Sequence, residues 1–267
     1  MTAPAMRPLP PRPLAAFGAL MRRDLRVMRR ELPFLLLRTL LQPILFVFVF
    51  GTLLPKMGFV RGDYGAALLP GILAMSLTLS AVQSVALPLV QDFGFTREIE
   101  DRLLAPIPTA LLAAQKVVAG ALQGIVAGLV VLPIARLLLG PVIGLTFANV
   151  GAVLVVTVLG AVTFSTLGLW IGTAIQPAQI GLMFSFIISP MLIFGCVYYP
   201  WRGLDAVPVM QYGVLANPLV YVAEGMRAAV VPGRPHLPLA VSVLAMCAMS
   251  ALFWFLGYAA FRRRAFT

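Results

Sequence analysis

The chain has 267 residues, 61% of them hydrophobic and 11% charged, with a formal net charge of +11. Soluble domains carry roughly 25% charged residues, and a globule must keep much of its surface wet, so this composition excludes a water-soluble fold and indicates an integral membrane protein. The basic excess, which would suggest nucleic acid in a soluble protein, gathers at the ends of apolar runs and in the N-terminal segment, where anionic lipid and membrane orientation account for it.

Residues 1–13 are rich in proline and arginine and are expected to be disordered, with no signal-peptide pattern. From 14 to 32 the pattern turns helical. Phe17, Leu20, Met21, Leu25, Met28 and Leu32 share one side, and Arg22, Arg23, Arg26, Arg29 and Arg30 occupy the rest. This predicts an interfacial amphipathic helix, apolar toward the acyl boundary and basic toward headgroups. A first span is expected at about 34–54, with Arg38 snorkelling from its start, and a second at about 66–90.

The densest mixed-charge stretch follows, L-V-Q-D-F-G-F-T-R-E-I-E-D-R-L-L-A-P-I-P-T over 89–109. Thr96 can cap a short helix that Pro106 and Pro108 stop. Glu98 with Arg102, and Arg97 with Asp101, are spaced to pair across one turn. Phe95, Ile99 and Leu103 recur every four residues and give this polar helix an apolar stripe. A helix that docks its face into another protein needs such a stripe; a solvated loop does not.

The third span is expected at about 111–139, with Lys116 near its start. Gly120, Gly124 and Gly128 form a GxxxGxxxG groove on it, the signature of close helix–helix contact in lipid, and Gly168 and Gly172 repeat it more weakly. No charged residue lies between Arg136 and Arg202, a stretch too long for one crossing of about 20 residues. The polar break at 173–179 divides it into spans at about 147–173 and 180–198. A polar-aromatic segment at 199–235 precedes a sixth span at about 237–261, and Arg262, Arg263 and Arg264 lie just beyond it. Counting basic residues on each side favours both termini in the cytoplasm.

Candidate chemistry is sparse. The sequence has no phosphate-binding GxxxxGK[ST] loop, HExxH, GxSxG or GxGxxG. The predicted span interiors contain no Asp or Glu, which gradient-driven carriers and proton relays usually need. His236 is the single histidine, so no histidine cluster exists. Cys196 and Cys247 lie in apolar surroundings and read as buried structural thiols, and no metal site is expected. The chain is therefore expected to be neither an enzyme nor a self-powered carrier.

Four stretches, in this order and spacing, resemble the type-2 ATP-binding-cassette (ABC) exporter permeases, especially those of the daunorubicin-resistance kind. They are Q-P-I-L-F-V-F-V-F-G (42–51), D-Y-G-A-A-L-L-P-G-I-L (63–73), R-E-I-E-D-R-L-L-A-P-I-P (97–108) and N-P-L-V-Y-V-A-E-G-M-R (217–227). The resemblance covers nearly the whole chain. It implies an all-α membrane fold of six spans, an N-terminal interfacial helix, a cytoplasmic coupling helix and an external re-entrant segment before the last span. Phe95 to Leu104 would be the coupling helix, with Ile99 and Leu103 as apolar anchors and Glu98, Glu100, Asp101 and Arg102 fixing its register on a separate ATPase.

By the same resemblance, two permease chains would form a homodimer with two ATPase subunits, which would bind the ATP and Mg; no cofactor is expected in this chain. The setting would be the inner membrane of a prokaryote, with lipids as further partners and no nucleic acid. Phe46, Phe48 and Phe50, with Phe184 and Phe186, are candidates for a translocation path for a hydrophobic drug-like or lipidic substrate, or are ordinary lipid-facing rings. Tyr199, Pro200, Asn217, Pro218, Glu224 and Arg227 are candidates for an external gate. Glu224 and Arg227, spaced i, i+3, also fit a local ion pair that closes a polar loop. A polysaccharide or teichoic-acid exporter permease, and a non-transporting membrane assembly factor, are the alternative readings.

Overall fold

A computed structural model of the chain describes residues 13–59, 64–96, 108–139 and 149–265. Among these residues all regular structure is helical. Helix α1 runs from Pro13 to Phe48, so the expected interfacial helix and the start of the first span form one continuous element. Pro33, where the sequence suggests a boundary, lies inside it, as does Pro43. Each proline removes one backbone hydrogen bond, a loss that membrane helices tolerate by local adjustment. Downstream, α1 passes into a π-helix, Val49–Leu53, and then the single turn α2, Leu54–Lys56.

Helix α3 (Tyr64–Gln91) is the centre of the molecule. Every residue from Leu68 to Val82 is buried. It packs against α4 (Thr109–Leu139), α5 (Val150–Ala174), α9 (Pro218–Val230) and α1. Lipid tails are as apolar as leucine, so close fit rather than water exclusion must hold such helices together. The sequence supplies that fit with small residues. Gly120, Gly124 and Gly128 of α4 lie against Val85, Ala81 and Leu77 of α3, and a Cβ on Gly124 would stand 2.8 Å from the Leu77 carbonyl. Gly168 and Gly172 of α5 meet α3 from another side, at Val82 and Ala86. The two glycine faces hold α3 between them.

Several buried hydroxyls bond to backbone carbonyls of their own helices, as a membrane interior favours, while Ser165 Oγ and Ser242 Oγ are buried with no hydrogen-bond partner among the described residues. Ser76 Oγ donates to the Ile72 carbonyl at 2.9 Å, and Thr163 Oγ1 lies 2.7 Å from the Leu159 carbonyl and 2.7 Å from Ser250 Oγ of α10 (Leu239–Ala265). Helix α10 packs on α5 and α9 at the edge of the bundle. Its apolar outer side explains Cys247, which is exposed; of the two thiols expected to be buried, only Cys196 is. Periodicity cannot separate a lipid-facing apolar residue from a buried one, because both surroundings are apolar.

Four described stretches are long and apolar enough to cross a bilayer: Ala67–Gly94, Thr109–Ile134, Val150–Ala174 and Leu239–Arg264. Leu41–Lys56 and Pro177–Ile193 are shorter apolar helical stretches, at the places of the expected first and fifth spans. The latter begins with a 3₁₀ turn, Pro177–Gln179, and continues as α6 (Ile180–Met183), a π-helix (Phe184–Ile188) and α7 (Ser189–Ile193). The chain then reverses at Cys196, which has φ 54°. It leads into a cap formed by the 3₁₀ turn Trp201–Leu204, α8 (Pro208–Gly213), the 3₁₀ turn Val214–Ala216 and α9. Asn217 caps α9 by accepting from the Leu219 amide at 3.0 Å, with Pro218 at the first helical position, where its missing N–H costs nothing.

Candidate functional site

The predicted functional residues fall at two ends of the bundle. One end carries the cap. Glu224 and Arg227 of α9 form an ion pair there, and both side chains are withdrawn completely from the surface, at 0% and 1% exposure. Glu224 does more than pair with Arg227. Its Oε1 accepts from the Trp201 amide at 2.9 Å and its Oε2 from the Leu237 amide at 2.8 Å. Arg227 Nη2 donates to the Cys196 carbonyl at 3.1 Å. One carboxylate and one guanidinium thus tie together the turn after α7, the first turn of the cap, α9, and the strand of chain leading into α10. The i, i+3 spacing showed the pair; the two backbone donors from distant segments were not visible in it.

The rest of the cap is fastened by further polar contacts. Asn217 Nδ2 donates to the Met191 carbonyl at 2.7 Å, Trp201 Nε1 to the Gln211 carbonyl at 2.8 Å, and Gln211 Nε2 to Asp205 Oδ1. Tyr199 and Tyr221 donate to the carbonyls of Ile193 and Leu215. Burial raises both phenols above the ordinary tyrosine range, with a smaller push on Tyr199 from Cys196, so both remain donors. Pro200 is half-buried and Pro218 buried.

Beside the cap the candidate path residues separate. Phe46 and Phe50 stack at 5.7 Å, and Tyr198 closes on them at 4.9 Å and 6.1 Å. The Tyr198 carbonyl accepts from Tyr64 Oη at 2.8 Å, which fixes this aromatic cluster to the start of α3. Phe184 packs half-buried against the main core, whereas Phe48 and Phe186 face outward, Phe186 with 75% of its surface exposed. Phe50 lies in one π-helix, and Phe184 and Phe186 in another. Such one-turn bulges are frequent at functional sites. An open apolar groove of about 510 Å³ runs nearby, lined by residues that include Leu167, Trp170, Met191, Phe194, Pro218 and Phe253.

The opposite end carries the N-terminal part of α1 and both flanks of the mixed-charge stretch. Arg22, Arg23, Arg26, Arg29 and Arg30 are all exposed on α1. Phe95 belongs to a π-helix, Asp92–Thr96, that ends α3. Glu98, Ile99, Glu100, Asp101, Arg102 and Leu103 lie outside the described residues. Sequence reasoning missed what holds this stretch at its base. Asp92 Oδ2 accepts from Lys116 Nζ of α4 at 2.9 Å, with each residue 8% exposed. Next to it, Gln115 Nε2 donates to Asp24 of α1. The signal was present as two isolated opposite charges at the facing ends of consecutive apolar helices.

The residues matching the ABC-2 type transporter family model run from 15 to 231, which includes α1, the base of the mixed-charge stretch and the cap through α9. The chain belongs to the ABC-2 type transporter family. It is also 30% identical over 200 residues to the inner membrane transport permease YadH of Escherichia coli (strain K12), covering 71% of this chain and 74% of that protein. The same identity and coverage hold for the YadH of Shigella flexneri. As an ABC-2 permease, the chain is the membrane component of a transporter rather than an enzyme. This places the ion-paired cap and the aromatic cluster in a transport protein.

Proposed function

We propose that this permease is the transmembrane subunit of an ATP-driven exporter, and that it moves a hydrophobic drug-like or lipidic substrate out of the cytoplasm or inner leaflet by alternating access. The observation that carries the reading is the family match over residues 15–231. The architecture supports it: buried ion pairs sit at the two ends of an apolar bundle, Asp92–Lys116 at one and Glu224–Arg227 at the other. In this reading the chain has six spans, with the shorter stretches Leu41–Lys56 and Pro177–Ile193 serving as spans one and five. Both termini and the 95–104 coupling helix face the cytoplasm of a prokaryotic inner membrane, and the cap faces outward.

The coupling helix docks on a separate ATPase through Phe95, Ile99 and Leu103, while Glu98, Glu100, Asp101 and Arg102 set its register. Two permease chains and two ATPases form the working unit, with ATP and Mg held by the ATPases. The arginines of α1 rest on anionic headgroups. Phe46, Phe50 and Tyr198 close the outer end of the path, and Glu224 and Arg227 hold the cap over it. A substrate of hydrophobic class fits the apolar groove and the outward-facing Phe186. A glycan exporter would call for a continuous aromatic ladder, whereas the candidate path rings Phe46 and Phe50 stack on each other and on Tyr198.

Co-purification tests the reading. A cognate ABC ATPase co-expressed with the wild-type permease is expected to co-purify with it and to be lost from Ile99→Asp/Leu103→Asp, with membrane insertion intact. Retention of the ATPase by that variant would remove the coupling-helix assignment.

A further inference from the structure

The buried Asp92–Lys116 pair has no part in the docking surface just described, because neither side chain is available to a partner. Yet its position is specific. Asp92 opens the π-helix through which α3 leads toward the coupling segment, and Lys116 stands on the second turn of α4, where the chain has returned from it. A buried ion pair is costly to desolvate and often adds no net stability over apolar residues of similar size. What it does provide is a discrete, geometry-dependent contact between two elements.

The neighbours of the pair extend that contact. Gln115 donates to Asp24 and so brings in α1. Phe93 meets Phe261 of α10 edge to face at 5.6 Å, and the Arg264 guanidinium stands 4.9 Å over the Phe93 ring. Arg264 Nη1 also donates to the carbonyls of Thr173 and Ile175, at 2.9 and 3.0 Å, at the end of α5. Gly94 lies so close to Pro177 that an added Cβ would stand 2.1 Å from its ring. Residues 92–94 and 115–116 therefore join α1, α3, α4 and α10 at one level, and Arg264 carries the contact on to the end of α5.

We propose that Asp92 and Lys116 are positioning residues for coupling: their ion pair locks the two flanks of the coupling segment so that its displacement moves α3 and α4 as one body. This rests on the ATPase-docking reading above. The pair acts by transmitting motion, and contacts neither nucleotide nor substrate.

The test uses the complex with a cognate ABC ATPase in proteoliposomes. A reporter, Phe186→Cys in a Cys247→Ser background, is labelled by a membrane-impermeant maleimide with and without ATP and vanadate. In the reporter chain, nucleotide is expected to change the labelling rate. Asp92→Asn and Lys116→Met each leave a buried charge without its counterion and are expected to lose thermal stability. The deciding variant is Asp92→Leu/Lys116→Met, which removes both charges and is expected to fold. It should keep the ATPase bound on purification and lose the nucleotide-dependent change in labelling.

Wild-type nucleotide response in that double variant would overturn the proposal and leave the pair as packing alone. Loss of the ATPase from the double variant would also overturn it, since the pair would then be shaping the docking surface. A reporter chain that binds no ATPase, or shows no nucleotide response, would refute the docking and alternating-access reading itself, which the co-purification experiment exposes independently.

Discussion

Replacing Glu224 by alanine attacks the cap at its most connected point. The substitution leaves the Arg227 guanidinium, 1% exposed, without its counterion, and deprives the amides of Trp201 and Leu237 of their acceptor. Breaking a buried ion pair by removing one partner costs about 3–5 kcal/mol, and each stranded buried donor adds about 1–3 kcal/mol unless the backbone relaxes. Relaxation makes these costs less than additive, so about 3–5 kcal/mol is a floor for local stability. Glu224→Gln/Arg227→Met removes both charges while keeping one acceptor oxygen, and should recover most of the loss.

Cys196 reports the opening directly, because it is buried and its carbonyl is the acceptor for Arg227 Nη2. In a Cys247→Ser background, the rate of maleimide labelling measures the population of the open cap. At about 1.4 kcal/mol per tenfold, Glu224→Ala should label Cys196 at least roughly 10² times faster than the parent, and the double variant much less so. Labelling of Glu224→Ala within about threefold of the parent rate, well under the 1.4 kcal/mol of one decade, would refute the reasoning and reduce the pair to a local contact that α9 does not need.

Three further outcomes follow from the packing. Gly71→Ala should fail to fold stably, because its Cβ would stand 1.9 Å from the Val197 carbonyl, whereas Gly181→Ala, with open space around it, should be neutral or gain about 0.5–1 kcal/mol from helix propensity; melting temperatures in nanodiscs distinguish the two. Tyr198→Ala loses two aromatic contacts worth about 0.5–1.5 kcal/mol each, while Tyr198→Phe keeps the rings and gives up the 3.8 Å contact to Met75 Sδ, so the thermal shift should be larger for alanine. Gly124→Leu drives a side chain into the Leu77 carbonyl and Ala81, and should lower the yield of folded protein more than the same change at Gly151, which meets nothing within 4 Å.

Much of this arrangement is legible in the sequence because its signals are periodic. The four-residue repeat of Gly120, Gly124 and Gly128 fixes a common face whatever that face meets. What it meets, Leu77, Ala81 and Val85, depends on tertiary packing. Pro33 marks a helix boundary by local rules, yet α1 continues through it, because within a membrane a lost backbone bond is cheaper than a broken helix. Glu224 and Arg227 announce themselves as a pair by spacing. Their burial is not announced, since it arises from Trp201, Cys196 and Leu237 converging from three separate segments. Asp92 and Lys116 stand 24 residues apart, and each alone reads as a polar residue near a span end. Only the antiparallel return of α4 along α3 brings them together.

The central claim is that this permease draws its energy from a partner that hydrolyses ATP. Flux of a fluorescent lipophilic probe, an NBD-labelled phospholipid, in proteoliposomes that hold the permease with or without a cognate ABC ATPase tests this first. ATP-dependent movement is expected only when both subunits are present, and is expected to be lost in Ile99→Asp/Leu103→Asp. Movement at the full rate by the permease alone, driven by an ion gradient without nucleotide, would contradict it.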